Sequence, residues 1–338
     1  MWTEEKLDEL LTTPSEALIA DMKQIEGDIM VLGAGGKMGP TLCLLAKNAI
    51  EKAGTNQKVI AVSRFSDPIA TKLLTDHGIQ IIPCDLTDDA QLEALPDVPN
   101  IIFMAGLKFG TTGNEARTWH MNATLPAMVA RKFKNSRIVA FSSGNVYPLV
   151  PIASGGSRES DPVGPIGEYT QSVLARERVF EYAAQQYGTP VFINRLNFAI
   201  DLRYGVLHDL ATKILAGEPI SVNTPVFNCI WQGSANEITI RGLLHAAAPA
   251  TIMNVTGPEI ISVKAAARQL GEYLGKEPIF EGVEGSDAYL NNAERAMEIF
   301  GYPAVPIHKL IRWQAEWILD GGRALGKPTH FEERKGKY

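Results

Sequence analysis

Apolar residues along the chain fall into two kinds of run that alternate. Short, nearly unbroken runs at Ile29–Leu32, Lys58–Val62, Ile79–Ile82, Asn100–Met104, Arg137–Phe141 and Pro190–Arg195 have the length of strands covered on both faces. Between them, apolar positions recur at helical spacing. Leu42, Leu45, Ala46, Ala49 and Ile50 predict a helix that Gly54 closes, and Pro68–His77 one that Gly78 stops. Asn114–Phe133 predicts a helix kinked at Pro126, and Glu168–Tyr187 a long one. Strands alternating with helices in this way predict an α/β fold, a Rossmann-type doubly wound parallel sheet.

The two ends depart from that rhythm. Residues 1–27 read as a helical extension, in which Thr13, Pro14 and Glu16 match an N-cap, a first-turn proline and a capping-box position for a helix to about Lys23. Residues 28–199 carry the sheet. From Ile200 to Phe227 the chain is rich in Gly, Pro and Asn, and residues 200–330 read mostly as a smaller lobe over the sheet's carboxyl edge. A strand near Ile252–Val255 returns to the sheet, and Val263–Leu274, Asn292–Ile299 and Trp313–Leu319 are expected helices. Trp313 and Trp317, four apart, read as one buried helix face. Phe331–Tyr338 is expected to be a basic, mobile tail.

Candidate chemistry starts where the first strand ends, at Gly33, Ala34, Gly35, Gly36, Lys37, Met38 and Gly39. Glycines at 33, 36 and 39 permit a tight reversal, close approach of a pyrophosphate to the backbone, and close helix–strand packing. The following helix offers unpaired N–H groups and the positive end of its dipole to an anion. Such a loop between a buried strand and a helix predicts dinucleotide binding, with Gly33, Gly35, Gly36, Lys37, Met38 and Gly39 as contacts. Lys37 reads equally as a phosphate-neutralising group or an exposed loop cation.

Composition narrows the class. A chain of 338 residues with 45% apolar residues can bury a large core, and 21% charged residues exclude a disordered class. A net charge of -6 gives no reason to expect nucleic acid as partner, and no apolar run reaches the roughly 18 residues that span a bilayer. The acidic start, MWTEEKLDELL, lacks the order of a signal peptide, so a cytoplasmic protein is expected. Cys43, Cys84 and Cys229 are scattered, and His77, His120 and His208 show no ligand pairing, so no metal site is expected.

Together these residues resemble the extended short-chain dehydrogenases, the epimerase/dehydratase family. The resemblance runs from Asp28 to about Leu319. Gly33, Gly36 and Gly39 match the family's GxxGxxG; Asp85 and Leu86 match the acidic residue and its neighbour that hold the adenine. Ala105 and Gly106 match the small pair after the fourth strand, and Asn122 an asparagine of the next helix. FSSGNVYP, Phe141 to Pro148, is similar to the segment that places the active-site serine, here Ser143, with Glu159, Pro165 and Tyr169 following at family spacing. The resemblance implies an NAD(P)-dependent oxidoreductase acting on a hydroxyl or ketone of a sugar-like or nucleotide-sugar substrate, with Ser143 and Tyr169 catalytic. It also implies a homodimer paired through the helices around Asn114–Phe133 and Glu168–Tyr187. In the second, Val173, Leu174, Val179, Phe180, Ala183 and Ala184 supply the apolar surface. Just past the second strand stand Ser63 and Arg64, neither acidic, so NADP is expected over NAD.

Two places depart from the family pattern, the smaller being Arg195-Leu-Asn-Phe-Ala-Ile after the sixth strand, where the family has an arginine followed by NVYGP, and the larger the active-site lysine. The family's Tyr-x-x-x-Lys is here Tyr169 to Val173. The absent ammonium would hydrogen-bond the nicotinamide ribose and lower the tyrosine pKa. Arg176, about two helical turns beyond Tyr169, reads either as a cation that takes part of that work or as a solvated or subunit-edge residue. Val173 also leaves open a nicotinamide-nucleotide-binding protein without redox catalysis.

Overall fold

The computed structural model describes residues 1–108 and 110–337. At its centre lie seven strands: β1 (Ile29–Leu32), β2 (Val59–Ser63), β3 (Gln80–Pro83), β4 (Asn100–Phe103), β5 (Arg137–Ser143), β6 (Val191–Leu196) and β7 (Thr251–Val255). They form one sheet in the order β7-β6-β5-β4-β1-β2-β3, every neighbouring pair parallel. The order reverses between β1 and β4, which opens a crevice at their carboxyl ends.

Helices α1 (Glu4–Thr12) and α2 (Glu16–Met22) precede the sheet. α3 (Gly39–Ala53), α4 (Pro68–Asp76) and α5 (Asp89–Glu93) follow β1, β2 and β3; α6 (Glu115–Trp119) and α7 (Leu125–Lys132) follow β4; α8 (Glu168–Tyr187) follows β5. α9 (Val206–Ala216) and α10 (Gln232–Arg241) come before β7, and α11 (Val263–Leu274), α12 (Glu294–Phe300) and α13 (Ile307–Leu319) after it. Alternate strand residues feed opposite cores. Ile29, Val31, Val59 and Ala61 pack with α3 and α10 on one face. Met30, Leu32, Ile60 and Val62 pack with Leu92, Val129 and Phe180 on the other. This double burial is why the strands read as unbroken apolar runs.

Four local expectations need correction. The capping residue of α2 is Ser15, whose hydroxyl accepts from the Leu18 N–H at 3.1 Å, whereas Thr13 closes a helix that the pattern did not predict, α1. α5 was also unpredicted; the Asp88 carboxylate caps it. The expected helix 114–133 is broken into α6, a five-residue π-turn His120–Thr124, and α7. Pro126 has no N–H to give the Asn122 carbonyl four residues back, and the Arg176 Nε–H is directed to that oxygen instead, at 3.4 Å. Finally, the tail is built into the protein. Phe331 is buried against Phe227, Glu332 pairs with Lys213 at 2.7 Å, and Arg334 pairs with Asp287. Tyr338, at the end of that expected tail, lies outside the described residues.

The amino-terminal extension joins one face of the sheet and a further cluster. Leu18, Met22 and Ile25 pack beside β1, while Trp2, Leu7 and Leu11 join α9, α11 and α13 in a third cluster. Trp313 and Trp317 do form one buried face, and Trp2 sits edge-on to both, with ring centroids 5.2 and 6.4 Å away. Arg203, buried beneath α1, is held by Asp201 at 2.8 Å, Glu4 at 2.9 Å and Asp8 at 3.0 Å. Along α8, Val173, Phe180, Ala183 and Ala184 are buried in the chain's own packing, and Leu174 and Val179 are half-buried.

Deleting residues 1–12 strips three apolar side chains from the third cluster, worth about 2 kcal/mol each, and two carboxylates from Arg203. The melting temperature is expected to fall by roughly 10 °C or more in a calorimetric scan. An unchanged melting temperature would show that α1 is not part of this core.

Candidate functional site

The crevice at the carboxyl ends of β1 and β4 is shaped by the glycine loop. Gly33 adopts φ 93, and a Cβ there would come within 2.7 Å of the Ala105 nitrogen. Larger residues at 33 or 105 would push the two strand ends apart. A side chain on Gly39 would collide with the Ala34 backbone, so α3 starts tight against the loop. Its N-cap, Met38, makes no side-chain capping bond, and Pro40 occupies the first turn. The first N–H groups of a 15-residue helix therefore face the loop without a side-chain acceptor. Gly36 is exposed, and a Cβ on it would meet nothing closer than the Gly33 carbonyl at 3.4 Å. A loop of this shape, backed by an uncapped helix, fits the pyrophosphate of a dinucleotide.

One cavity of about 280 Å³ gathers Gly33, Gly36, Lys37, Met38, Gly106, Ser143 and Tyr169 from the sequence-predicted set. Others of that set stand around it. Gly35 lies in an adjoining groove and packs on Ser63, whose Oγ a Cβ at 35 would approach to 2.7 Å. Arg64 is exposed at the end of β2. Asp85 accepts from the Thr87 N–H at 3.0 Å and hydroxyl at 2.7 Å, which together with the Arg64 charge holds its carboxyl below the usual pKa. Leu86 and Ala105 are buried.

Ser143 ends β5, and its Oγ accepts from the Asn145 N–H at 3.2 Å. Tyr169, in the first turn of α8, hydrogen-bonds Ser143. Burial pushes the Tyr169 phenol above its usual pKa, while the Arg176 charge and Ser143 pull it back. Val173, one turn along, is packed with Val146 and Tyr147.

Arg176 is neither solvated nor at an edge. It is buried, donating to the Phe141 carbonyl at 2.9 Å and to Asn122 Oδ1 at 2.7 Å, with its guanidinium 5.5 Å from the Phe103 ring centroid. A side chain on Gly106 would collide with it, so glycine at 106 makes room for this guanidinium. Burial lowers its pKa to about 10, with Tyr169 and Glu177 opposing that shift. Asn122 is wholly enclosed. Its amide donates to the Leu107 carbonyl at 2.8 Å and to Ser172 at 3.0 Å, and its oxygen also accepts from the Leu107 N–H at 2.9 Å. Asn122 thus fixes the loop after β4 and Arg176 together.

Glu177, beside Arg176 in sequence, faces the next strand. It receives Arg195 Nε at 2.9 Å and Nη2 at 2.7 Å, with Ser142 as a third donor. Arg195 Nη1 also reaches the Tyr147 hydroxyl at 2.6 Å, which donates to Asn254 Oδ1 at 2.9 Å on β7. Burial works against the Arg195 charge, but Glu177 and Tyr147 more than offset it and raise its pKa.

Several cavity residues carry no sequence signal that singled them out: Lys108, Phe198, Tyr204 and Thr329. The Lys37 ammonium lies 3.4 Å from the Tyr204 ring centroid, and Lys108 lies 5.9 Å from the rings of Tyr169 and Phe198. Burial pushes Lys37 down to about 7, helped by Lys108 and Lys327, and pushes Lys108 down to about 8. Their counter-charge is Asp209, whose carboxylate accepts from the Thr329 N–H at 2.8 Å and hydroxyl at 2.6 Å. Among the described residues no group of three or more His, Cys, Asp and Glu is placed to hold a metal ion. Nor is any helix among them long and apolar enough to cross a membrane.

Breaking the Glu177–Arg195 pair from one side leaves a buried charge without its partner. Glu177→Gln is expected to cost about 3–5 kcal/mol in a denaturant melt, whereas Glu177→Leu combined with Arg195→Met should recover most of the loss. A double variant as unstable as the sum of the two single replacements would contradict this.

The sequence model of the NAD dependent epimerase/dehydratase family matches residues 29–224. No curated protein matches the sequence. Among solved structures, dTDP-glucose 4,6-dehydratase from Bacillus anthracis, in complex with NAD, superposes with a TM-score of 0.73 at 18% identity, covering 87% of this chain and 97% of that one. UDP-glucuronic acid 4-epimerase from Bacillus cereus, in complex with NAD, gives 0.69 at 19% identity, covering 87% and 99%. MoeE5, in complex with UDP-glucuronic acid and NAD, gives 0.68 at 19%, covering 87% and 100%. The glycine loop at the switch between β1 and β4, the parallel sheet and the family match over more than half the chain agree: the protein belongs to the NAD dependent epimerase/dehydratase family.

Proposed function

We propose that the protein is a nicotinamide-dinucleotide-dependent enzyme that oxidises a hydroxyl or reduces a ketone of a sugar-like substrate, in the nucleotide-sugar class. The observation that carries this reading is the cavity that gathers the glycine loop, Ser143 and Tyr169, with the Arg176 guanidinium buried in its wall where the family lysine is absent. Similar folds solved with UDP-glucuronic acid and NAD support the substrate class. The glycine loop and the start of α3 would hold the dinucleotide phosphates. When bound, nicotinamide supplies the hydride acceptor or donor.

The chain's own residues handle the proton. Ser143 and Tyr169 hold the substrate oxygen between their hydroxyls, and Tyr169 takes or returns its proton. Because burial raises the phenol pKa, Tyr169 is a phenol at neutral pH. Arg176 lowers the cost of its ionised form through a low-dielectric path. Asn122 keeps Arg176 in place and is a positioning residue. The alternative, binding without redox catalysis, is favoured only by Val173, which turns the lysine position into part of an apolar cluster.

A panel of UDP- and dTDP-sugars, followed at the absorbance of reduced nicotinamide, tests the reading. Turnover is expected to rise with pH as Tyr169 ionises. Arg176→Met should cut it roughly 10- to 100-fold and displace the profile to higher pH. Turnover in wild type with an unmoved profile in Arg176→Met would remove Arg176 from the mechanism, and dinucleotide binding with no turnover on any sugar would favour the binding protein.

For the cofactor we propose NADP over NAD, because Arg64 stands exposed past β2, where a guanidinium meets a 2′-phosphate. Calorimetry should show tighter NADP binding that Arg64→Ala removes, leaving NAD unchanged; equal affinities in wild type would refute it. The same titrations carry a pH signature. A phosphate beside Lys37 favours the ammonium and raises a pKa that starts at about 7, so binding above that pH takes up protons. Heats that do not depend on the buffer's ionisation enthalpy at pH about 8 would rule out that contact.

A further inference from the structure

The carboxyl-terminal strap, residues 323–336, lies beyond the family-matched region 29–224, and the mechanism above uses none of it. It is anchored along its length. Arg323 pairs with Glu4, the Leu325 N–H donates to the Arg203 carbonyl at 2.9 Å, and Thr329 is bonded twice to Asp209. Phe331 is buried, and Gly336 packs backbone to backbone on Ile166 and Gly167, the two residues just before α8. Thr329 is itself part of the cavity wall that holds Tyr169.

Between the anchors at Leu325 and Thr329 stands Lys327, exposed to solvent. It borders the groove beside the phosphate loop, shared with Gly35, Gly36, Lys37 and Asp67. The carboxylates of that groove are already engaged. Asp67 caps α4 by accepting from the Ile69 N–H at 2.9 Å, and Asp8 and Asp201 hold Arg203. Lys37 and Lys327 both border that groove, beside a loop of backbone N–H groups, and the Lys327 charge helps depress the Lys37 pKa. Cationic side chains beside exposed backbone N–H groups raise the local potential for an anion.

We propose that Lys327 is a cofactor-binding residue: the strap carries its ammonium across the phosphate loop to a phosphate of the bound dinucleotide. This rests on the dinucleotide reading above. The phosphate is either the pyrophosphate, common to both cofactors, or the 2′-phosphate of NADP, and the two give different results.

Wild type, Lys327→Ala and Lys327→Arg are titrated with NADH and NADPH by fluorescence, at low and high salt, with thermal melts as a check on folding. Lys327→Ala is expected to melt as wild type does and to bind roughly five- to tenfold more weakly at low salt, with a smaller loss at high salt. A loss for both nucleotides assigns the pyrophosphate; a loss for NADPH alone assigns the 2′-phosphate. Lys327→Arg should retain most of the affinity. Equal affinities in wild type and Lys327→Ala would overturn the proposal while leaving the dinucleotide reading intact, and a wild type that binds neither nucleotide would overturn both.

Discussion

Two adjacent buried charges on α8 hold the site in register. Arg176 and Glu177 point to different partners, the first to the Asn122 and Phe141 oxygens, the second to Arg195 on β6. Neither charge can lose its hydrogen-bonded partners at that depth, because burying an unsatisfied ion costs several kcal/mol. The helix can therefore neither rotate nor slide without breaking one of them. Tyr169 sits two turns before the pair, so its position against Ser143 follows from that clamp. The pairing is a device for fixing geometry more than a source of net stability.

The same clamp explains the irregular helix after β4. Pro126 frees the Asn122 carbonyl, the π-turn His120–Thr124 accommodates the gap, and Arg176 fills it. A break in one helix thus becomes the seat for a cation from another. Glycine at 106 completes the arrangement, since any side chain there would displace the guanidinium. Val173 carries no charge, and the buried cation of α8 stands three residues further on, at Arg176.

Much of the sheet was legible because its strands are buried on both faces and their signal is a bare apolar run. The seven strands followed from that, with ends moved by one or two residues, whereas their order in the sheet carries no such signal. The glycine loop was legible from its place between a strand and a helix, and Ser143 and Tyr169 from the family resemblance; the fold brings them to one cavity. What was not legible came from contacts remote in sequence. α1 is short and acidic, and its apolar face has meaning only against α9, α11 and α13. The tail looked mobile because its anchors, Asp209, Lys213, Phe227 and Asp287, lie on other elements. Lys108 and Tyr204 carry no motif at all; only the fold brings them beside Tyr169 and Lys37.

The central claim is that Arg176 supplies electrostatically what the family lysine supplies elsewhere. The most direct measurement needs no substrate: NMR titration of ring-labelled tyrosine in the intact protein, following the Tyr169 resonance in wild type and in Arg176→Met. The account predicts that Tyr169 ionises at a lower pH in wild type than in Arg176→Met, with the other tyrosines unmoved. The same Tyr169 titration in both proteins would contradict it.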